Sequence, residues 1–139
     1  MTVLRPQTTA AASPLPSVFS APYWEGCAVG ELRYQRCADC GAANHTPTAS
    51  CAHCDGSALE WRVSSGEGVI HSWTVVMRAV SPDFEVPYAP AIVEMAEGWF
   101  LLSAVIGCEP EEIEIGRRVV VEFHPLADGT TIPYVRPGD

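Results

Sequence analysis

Four of the six cysteines fall into two pairs, Cys37-Ala-Asp-Cys40-Gly41 and Cys51-Ala-His-Cys54-Asp55-Gly56. Two residues between paired thiols let both sulfurs meet one ion from a single tight turn. Two such turns, ten residues apart, can supply a closed tetrahedral set of four thiolates. Gly41, and Gly56 after Asp55, give the backbone room to bend beneath the sulfurs. A closed set leaves no coordination position for water, so the chemistry it predicts is structural. In small zinc peptides such a site contributes roughly 10–16 kcal/mol, enough to hold a segment that owns no core. Zinc is the expected ion. A rubredoxin-type iron centre uses the same four-thiolate geometry and stays open. A redox CxxC would open a thioredoxin-like strand-to-helix pattern, and neither pair does. Cys27 and Cys108 stand apart and read as buried apolar fillers. With four thiols serving the ion, His45 and His53 read as solvent-facing.

The elements that must position these thiols follow from patterning along the 139 residues. Residues 1–21 are rich in Thr, Ala, Ser and Pro and read as a flexible lead-in. Residues 22–35 carry a helix start at Pro22 and Glu25, weakened by Gly26 and Gly30. The cysteine ribbon occupies 36–59, and from residue 60 to 139 the pattern changes to strands. Gly68–Met77 is β-branched and aromatic. Ala91–Met95 and Trp99–Ile106 are joined by the hairpin signal Ala96-Glu97-Gly98. Arg118–Phe123 and Thr130–Val135 flank an Asp128-Gly129 turn. About five strands with no helical period among them predict a small closed β-barrel, for which an OB-like barrel fits the count. The fold class is mostly β: an N-terminal helix, a metal ribbon and a C-terminal barrel.

Charge narrows the function. Eight arginines and no lysine stand against 17 Asp+Glu, a net charge of −9. Such a chain repels phosphate, which argues against a general nucleic-acid binder. No apolar run approaches the roughly 20 residues that span a bilayer, and the first residues lack a signal-peptide core. A cytoplasmic protein in a reducing compartment is the expectation, in keeping with clustered thiols that bind metal.

The stretch Ser81–Pro90 contains three prolines and cannot pair as a central strand. It carries Phe84 and Tyr88, which either fold back over a barrel end or form a docking surface together with Tyr23 and Trp24. The acidic run Glu109–Glu114 reads as a solvated connection. No nucleophile elbow, phosphate loop, dinucleotide fingerprint or zincin helix occurs. His71 and His124 read as structural, and Glu94, Glu97 and Glu122 as residues of a wet face. No catalytic residue is assigned.

The order of parts resembles a known family. Pro22-Tyr-Trp-Glu-Gly26, Arg36-Cys-Ala-Asp-Cys-Gly41, Cys51-Ala-His-Cys54, Glu60-Trp61 and Gly66–Val76, continued by Pro90–Glu94, Ile106–Gly116 and Val119–Phe123, are similar to domain-of-unknown-function family 35. The resemblance covers roughly residues 22–137. It implies an N-terminal helix, a rubredoxin-like zinc ribbon held by Cys37, Cys40, Cys51 and Cys54, and an OB-fold. It also implies an accessory subunit of thiolase-superfamily enzymes (ketothiolases, acyltransferases or retro-aldolases) acting on acyl-CoA thioesters. The partner then owns the chemistry, and the small subunit helps shape the CoA channel. CoA is anionic, so any direct contact here falls to a single cation among Arg33, Arg36, Arg62, Arg78, Arg117 and Arg118. Two readings from other classes remain: a single-stranded nucleic-acid module, which would need a basic groove, and an iron-thiolate electron carrier.

Overall fold

The computed structural model describes residues 2–9 and 13–138. Helix α1 (Ala21–Ala28) takes Pro22 in its first turn, where a missing N–H costs nothing. It ends where Gly30 turns to φ +79° and the Glu31 N–H reaches back to the Gly26 carbonyl at 2.8 Å. The helix is therefore shorter than the expected 22–35, and the last three residues of that span open a strand. Gly26 is required by packing: a Cβ there would lie 2.7 Å from both the Glu31 carbonyl and the Arg33 side chain.

Three strands form the ribbon sheet. β1 (Arg33–Cys37) lies between β2 (Ala43–Asn44) and β3 (Leu59–Val63), antiparallel to both. β3 pairs with β1 from Cys37↔Leu59 to Arg33↔Val63, so the ribbon's sheet continues past residue 59.

The remaining strands close into a barrel: β4 (Glu67–Trp73), β5 (Ala89–Met95), β6 (Phe100–Val105), β7 (Arg118–Pro125) and β8 (Thr131–Pro137), in the order β4-β5-β6-β8-β7. Every pairing is antiparallel except β6 with β8. That arrangement is an OB-like Greek-key barrel. The expected first strand, 68–77, stops at Trp73 after a register shift between Ile70 and Ser72. Beyond it a lone bridge joins Val76 to Tyr88. The 96–98 hairpin forms as its residues require, with Gly98 at φ +90°.

Burial alternates along β5, with Ala89, Ala91, Val93 and Met95 inside. These pack against Ile70, Leu101, Val105, Val119 and Val135. Each fully buried aliphatic side chain of this size contributes about 1.5–3 kcal/mol. The same core runs without a break into Leu32, Tyr34, Tyr23 and Cys27, so helix and ribbon are docked on the barrel. Trp99 stacks on Tyr34 at 5.5 Å and forms the seam.

The lead-in corrects the expectation of a flexible 1–21. Residues 2–9 lie along the barrel, with Leu4 buried and its backbone bonded to Cys108 and Gly107 at 2.8 and 2.9 Å. Gln7 exchanges two bonds with the Glu85 backbone, and Thr9 reaches the Asp83 carbonyl. A composition of small and polar residues cannot reveal such an anchor, because one leucine and two backbone bonds suffice. Residues 10–12 of that span lie outside the described residues.

Candidate functional site

The two cysteine turns meet at the ribbon's end. Cys37 ends β1, and Gly41, at φ +78°, closes the first turn through a Gly41 N–H bond to the Cys37 carbonyl. In the second turn Asp55, not Gly56, takes the left-handed conformation, at φ 62°. Aspartate is one of the few residues that visit that region readily. Gly56 is small for another reason: a Cβ would meet the Asp39 carboxylate at 2.9 Å and the Cys54 sulfur at 3.2 Å.

All four sulfurs lie within 4.8 Å of one another. Cys37 and Cys54 are 3.6 Å apart, and Cys40 and Cys51 3.7 Å. A tetrahedron with a Zn–S bond of about 2.3 Å has edges of about 3.8 Å. Two of the six edges match that figure and none exceeds 4.8 Å, so the donor set fits one tetrahedral ion. N–H groups are aimed at the sulfurs: His53 and Asn44 at Cys51, at 3.3 and 3.4 Å, and Gly56 at Cys54, at 3.4 Å. The Asn44 side chain and the backbone N–H groups hold the Cys51 thiol down to about 6. Such donors stabilise thiolate, the form that binds metal. The zinc-ribbon fold and the cysteine cluster are together consistent with structural zinc.

His53 is exposed, as expected, whereas His45 is not. Its ring sits 5.3 Å from Tyr23 and 4.8 Å from Trp99, and burial lowers its pKa to about 4. Helix α1 and the β5–β6 hairpin, both distant in the chain, make that environment, so the local sequence carried no sign of it. Cys27 and Cys108 are buried in the core, and burial pushes the Cys27 thiol up to about 11.

The carboxylates are not brought together. Glu94 lies on the outer barrel face opposite Phe100, and Glu122 accepts from His124 and Arg136. Glu97 accepts from the Ser64 hydroxyl at 2.7 Å, the Ser65 N–H at 2.8 Å and the Trp99 indole at 3.1 Å. It clamps the link between ribbon and barrel. His71 packs edge-on to Phe100. Of the six arginines considered for an anion, Arg33 and Arg62 pair with Glu31 and Glu60. Arg36 and Arg117 donate to backbone carbonyls. Arg78 and Arg118 make no ion pair among the described residues.

The expected docking aromatics differ in placement. Tyr23 is 5% exposed and belongs to the core, so its ring is not part of the free surface. The physical reason is the helix start: Tyr23 points inward and stands edge-on to Trp24, which is half-buried. Phe84 and Tyr88 stack at 5.6 Å, half-buried beneath the N-terminal strap. Sequence reading missed the outer face of the β5–β6 hairpin, where Ile92, Phe100 and Leu102 are exposed. A signal was present: Phe100-Leu-Leu102 has no polar alternation, which a one-sided strand should show.

Comparison with known proteins places these parts. Residues 24–60 match the ChsH2 rubredoxin-like zinc ribbon domain and residues 61–124 the ChsH2 C-terminal OB-fold domain. A DUF35 domain-containing scaffold protein of Methanothermobacter thermautotrophicus is 33% identical over 70% of this chain and 74% of its own length. A probable enoyl-CoA hydratase alpha subunit of Thermomonospora curvata is 34% identical over 85% of this chain, which spans only 37% of that subunit. Among solved structures, a chain of the Ltp2-ChsH2(DUF35) aldolase superposes with a TM-score of 0.82 at 33% identity, covering 89% of this chain and 98% of that one. Ribbon, barrel and cysteine cluster, matched in order and over most of its length, make this chain a member of the DUF35 family of ChsH2-type proteins.

Proposed function

We propose that the chain is the non-catalytic zinc-ribbon/OB-fold subunit of a thiolase-like enzyme that acts on acyl-CoA thioesters in the cytoplasm. The observation that carries this reading is the match to a chain of the Ltp2-ChsH2(DUF35) aldolase over 98% of that chain. The hydratase relative supports an acyl-CoA context but not a hydratase activity, because it is matched over only a third or so of its length. In this reading Cys37, Cys40, Cys51 and Cys54 hold one zinc, which rigidifies the ribbon. The ion supplies no open coordination position and takes no part in turnover. The partner supplies the reacting groups. Trp24, Phe84 and Tyr88 lie near the partner, Trp24 on one side of the barrel's β5–β6 face and the other two on the opposite side. Direct contact with CoA phosphate falls to Arg78 or Arg118.

Co-expression with each thiolase-fold protein of the same organism, followed by size-exclusion chromatography with light scattering and an acyl-CoA cleavage assay, tests the reading. A stable complex with one of them, more active than the partner alone, is the expected result. A chain that stays apart from all of them and changes none of their activities overturns it. A salt-sensitive shift with single-stranded oligonucleotides would favour the nucleic-acid reading instead.

A further inference from the structure

OB barrels usually meet their ligands on the second and third strands, between the loops after the first and fourth. Here these are β5 and β6, the connection 74–88 and the turn 126–130. In this chain that face is aliphatic. The register sets Ile92 beside Leu102 and Glu94 beside Phe100, with Leu102 72% exposed and Phe100 46%. Leu102 borders three hollows. One of about 370 Å³ lies against Trp24 and His45, one of about 300 Å³ against Trp73, and one of about 270 Å³ against Phe84 and Tyr134. Isolated surface leucines are ordinary; a leucine ridge between three largely apolar hollows is a contiguous patch of the kind that marks an interface.

Charge says what covers it. Glu94 is the only charged residue of β5 and β6; on the loop beyond, Asp83 and Glu85 outnumber Arg78, with Arg5 of the N-terminal strap beside them, so no cation lies on the strands themselves. A nucleic acid would need cations along this groove. A second copy would bring another Glu94 and another net charge of −9 to the same face. We infer that the β5–β6 face, centred on Leu102, docks the thiolase-like partner through an apolar ridge of that partner flanked by arginine or lysine. The inference rests on the accessory-subunit reading and adds the surface, its anchor and the partner's chemistry. The hollows receive the partner's side chains while Leu102 enters a pocket on the partner, the central and fully desolvated position where interface energy concentrates.

The experiment measures the dissociation constant between the zinc-loaded chain and the thiolase-fold protein that the co-expression screen identifies. Leu102→Glu and Phe100→Glu are compared with Ile115→Glu, an exposed apolar position away from all three hollows. Because Leu102 and Phe100 are exposed, near-UV circular dichroism and zinc content should match the wild type. Weakening of 100-fold or more in Leu102→Glu, with Ile115→Glu within two-fold of wild type, is the expected result. If the wild type binds and Leu102→Glu binds equally well, the inference falls while the accessory-subunit reading stands. If the wild type binds no thiolase-fold protein, the reading beneath it falls as well. Concentration-dependent self-association that Leu102→Glu abolishes would overturn the choice of occupant in favour of a second copy.

Discussion

The ribbon and the barrel are folded by different means. The barrel closes five strands on itself, leaves no sheet edge, and fills its interior with alternating aliphatics such as Val93, Leu101 and Val135. The ribbon has three strands, one of them only two residues long, and its cysteine turns contribute no large apolar side chain. What converges there is four sulfurs. A closed sheet with a core needs nothing added; an open sheet of this size needs a cross-link, which four converging thiolates let a metal supply. The ribbon's inner edge borrows the barrel's core through Tyr34 and Trp99, so the metal is left to fix only its outer end.

The sharpest way to break that comparison is to remove a sulfur. Cys40 is exposed, so Cys40→Ser disturbs coordination rather than packing. It should forfeit most of the roughly 10–16 kcal/mol of metal binding typical of small zinc peptides. Zinc content should fall from one per chain, and amides of the cysteine turns should exchange freely, while those of β5 and β6 remain protected. Unchanged metal content would contradict the four-cysteine set. The converse damage is Leu101→Ala, a truncation in the barrel core that should cost about 2–5 kcal/mol of global stability in chemical denaturation. Metal content of the folded fraction should not change. If both variants lost barrel and metal together, the two regions would be one cooperative unit held by the seam.

Much of this division is legible from residue order because its determinants are local. The CxxC spacing fixes which sulfurs share a turn, and the two turns then meet with Cys37 3.6 Å from Cys54 and Cys40 3.7 Å from Cys51. Glu97-Gly98 and Asp128-Gly129 fix two turns of the barrel, each with its glycine at positive φ. What was not legible depends on partners distant in the chain. Leu4 is anchored by Cys108, and His45 is half-buried between Tyr23 and Trp99, so no window of sequence contains either relation. Gly56 was expected to supply the turn that Asp55 makes, because a glycine's need for positive φ and its need for space look alike in sequence. The β5–β6 outer face was hidden in a continuous apolar run, which cannot say on its own which side is left uncovered.

The seam between the regions carries a pH signature. His45 belongs to the ribbon by sequence, yet its ring is held among aromatics of the helix and barrel. Burial lowers its pKa from an ordinary value near 6.5 to about 4. Below pH 6.5 the unfolded chain accepts a proton that the folded chain refuses, so stability falls as pH drops from 6.5 towards 4 and levels off below. The full effect is about 3 kcal/mol. Between pH 7 and 5, wild type should lose about 2 kcal/mol more than His45→Gln in urea denaturation. An imidazole that titrates in the ordinary range by NMR would mean that the seam is wet.

The smallest expected effect lies at the clamp. The Glu97 carboxylate holds Ser64 and Ser65, the first residues after β3, to the Trp99 indole on the barrel. Burial opposes its charge, but three hydrogen-bond donors outweigh that and leave its pKa lowered. A carboxylate held in this way stabilises the fold above its unfolded pKa and loses the contribution as pH falls through the folded value. Glu97→Gln keeps the shape but turns one acceptor into a donor facing donors, at a cost of about 1–2 kcal/mol. Since the clamp does not touch the sulfurs and meets the core only at the Trp99 indole, metal content and β-sheet protection should be kept. Exchange should quicken at Ser65 and at the indole N–H. Were the loss instead to appear at the cysteine turns, the ribbon's outer end would depend on the seam, and the division between a metal-held and a core-held region would be wrong.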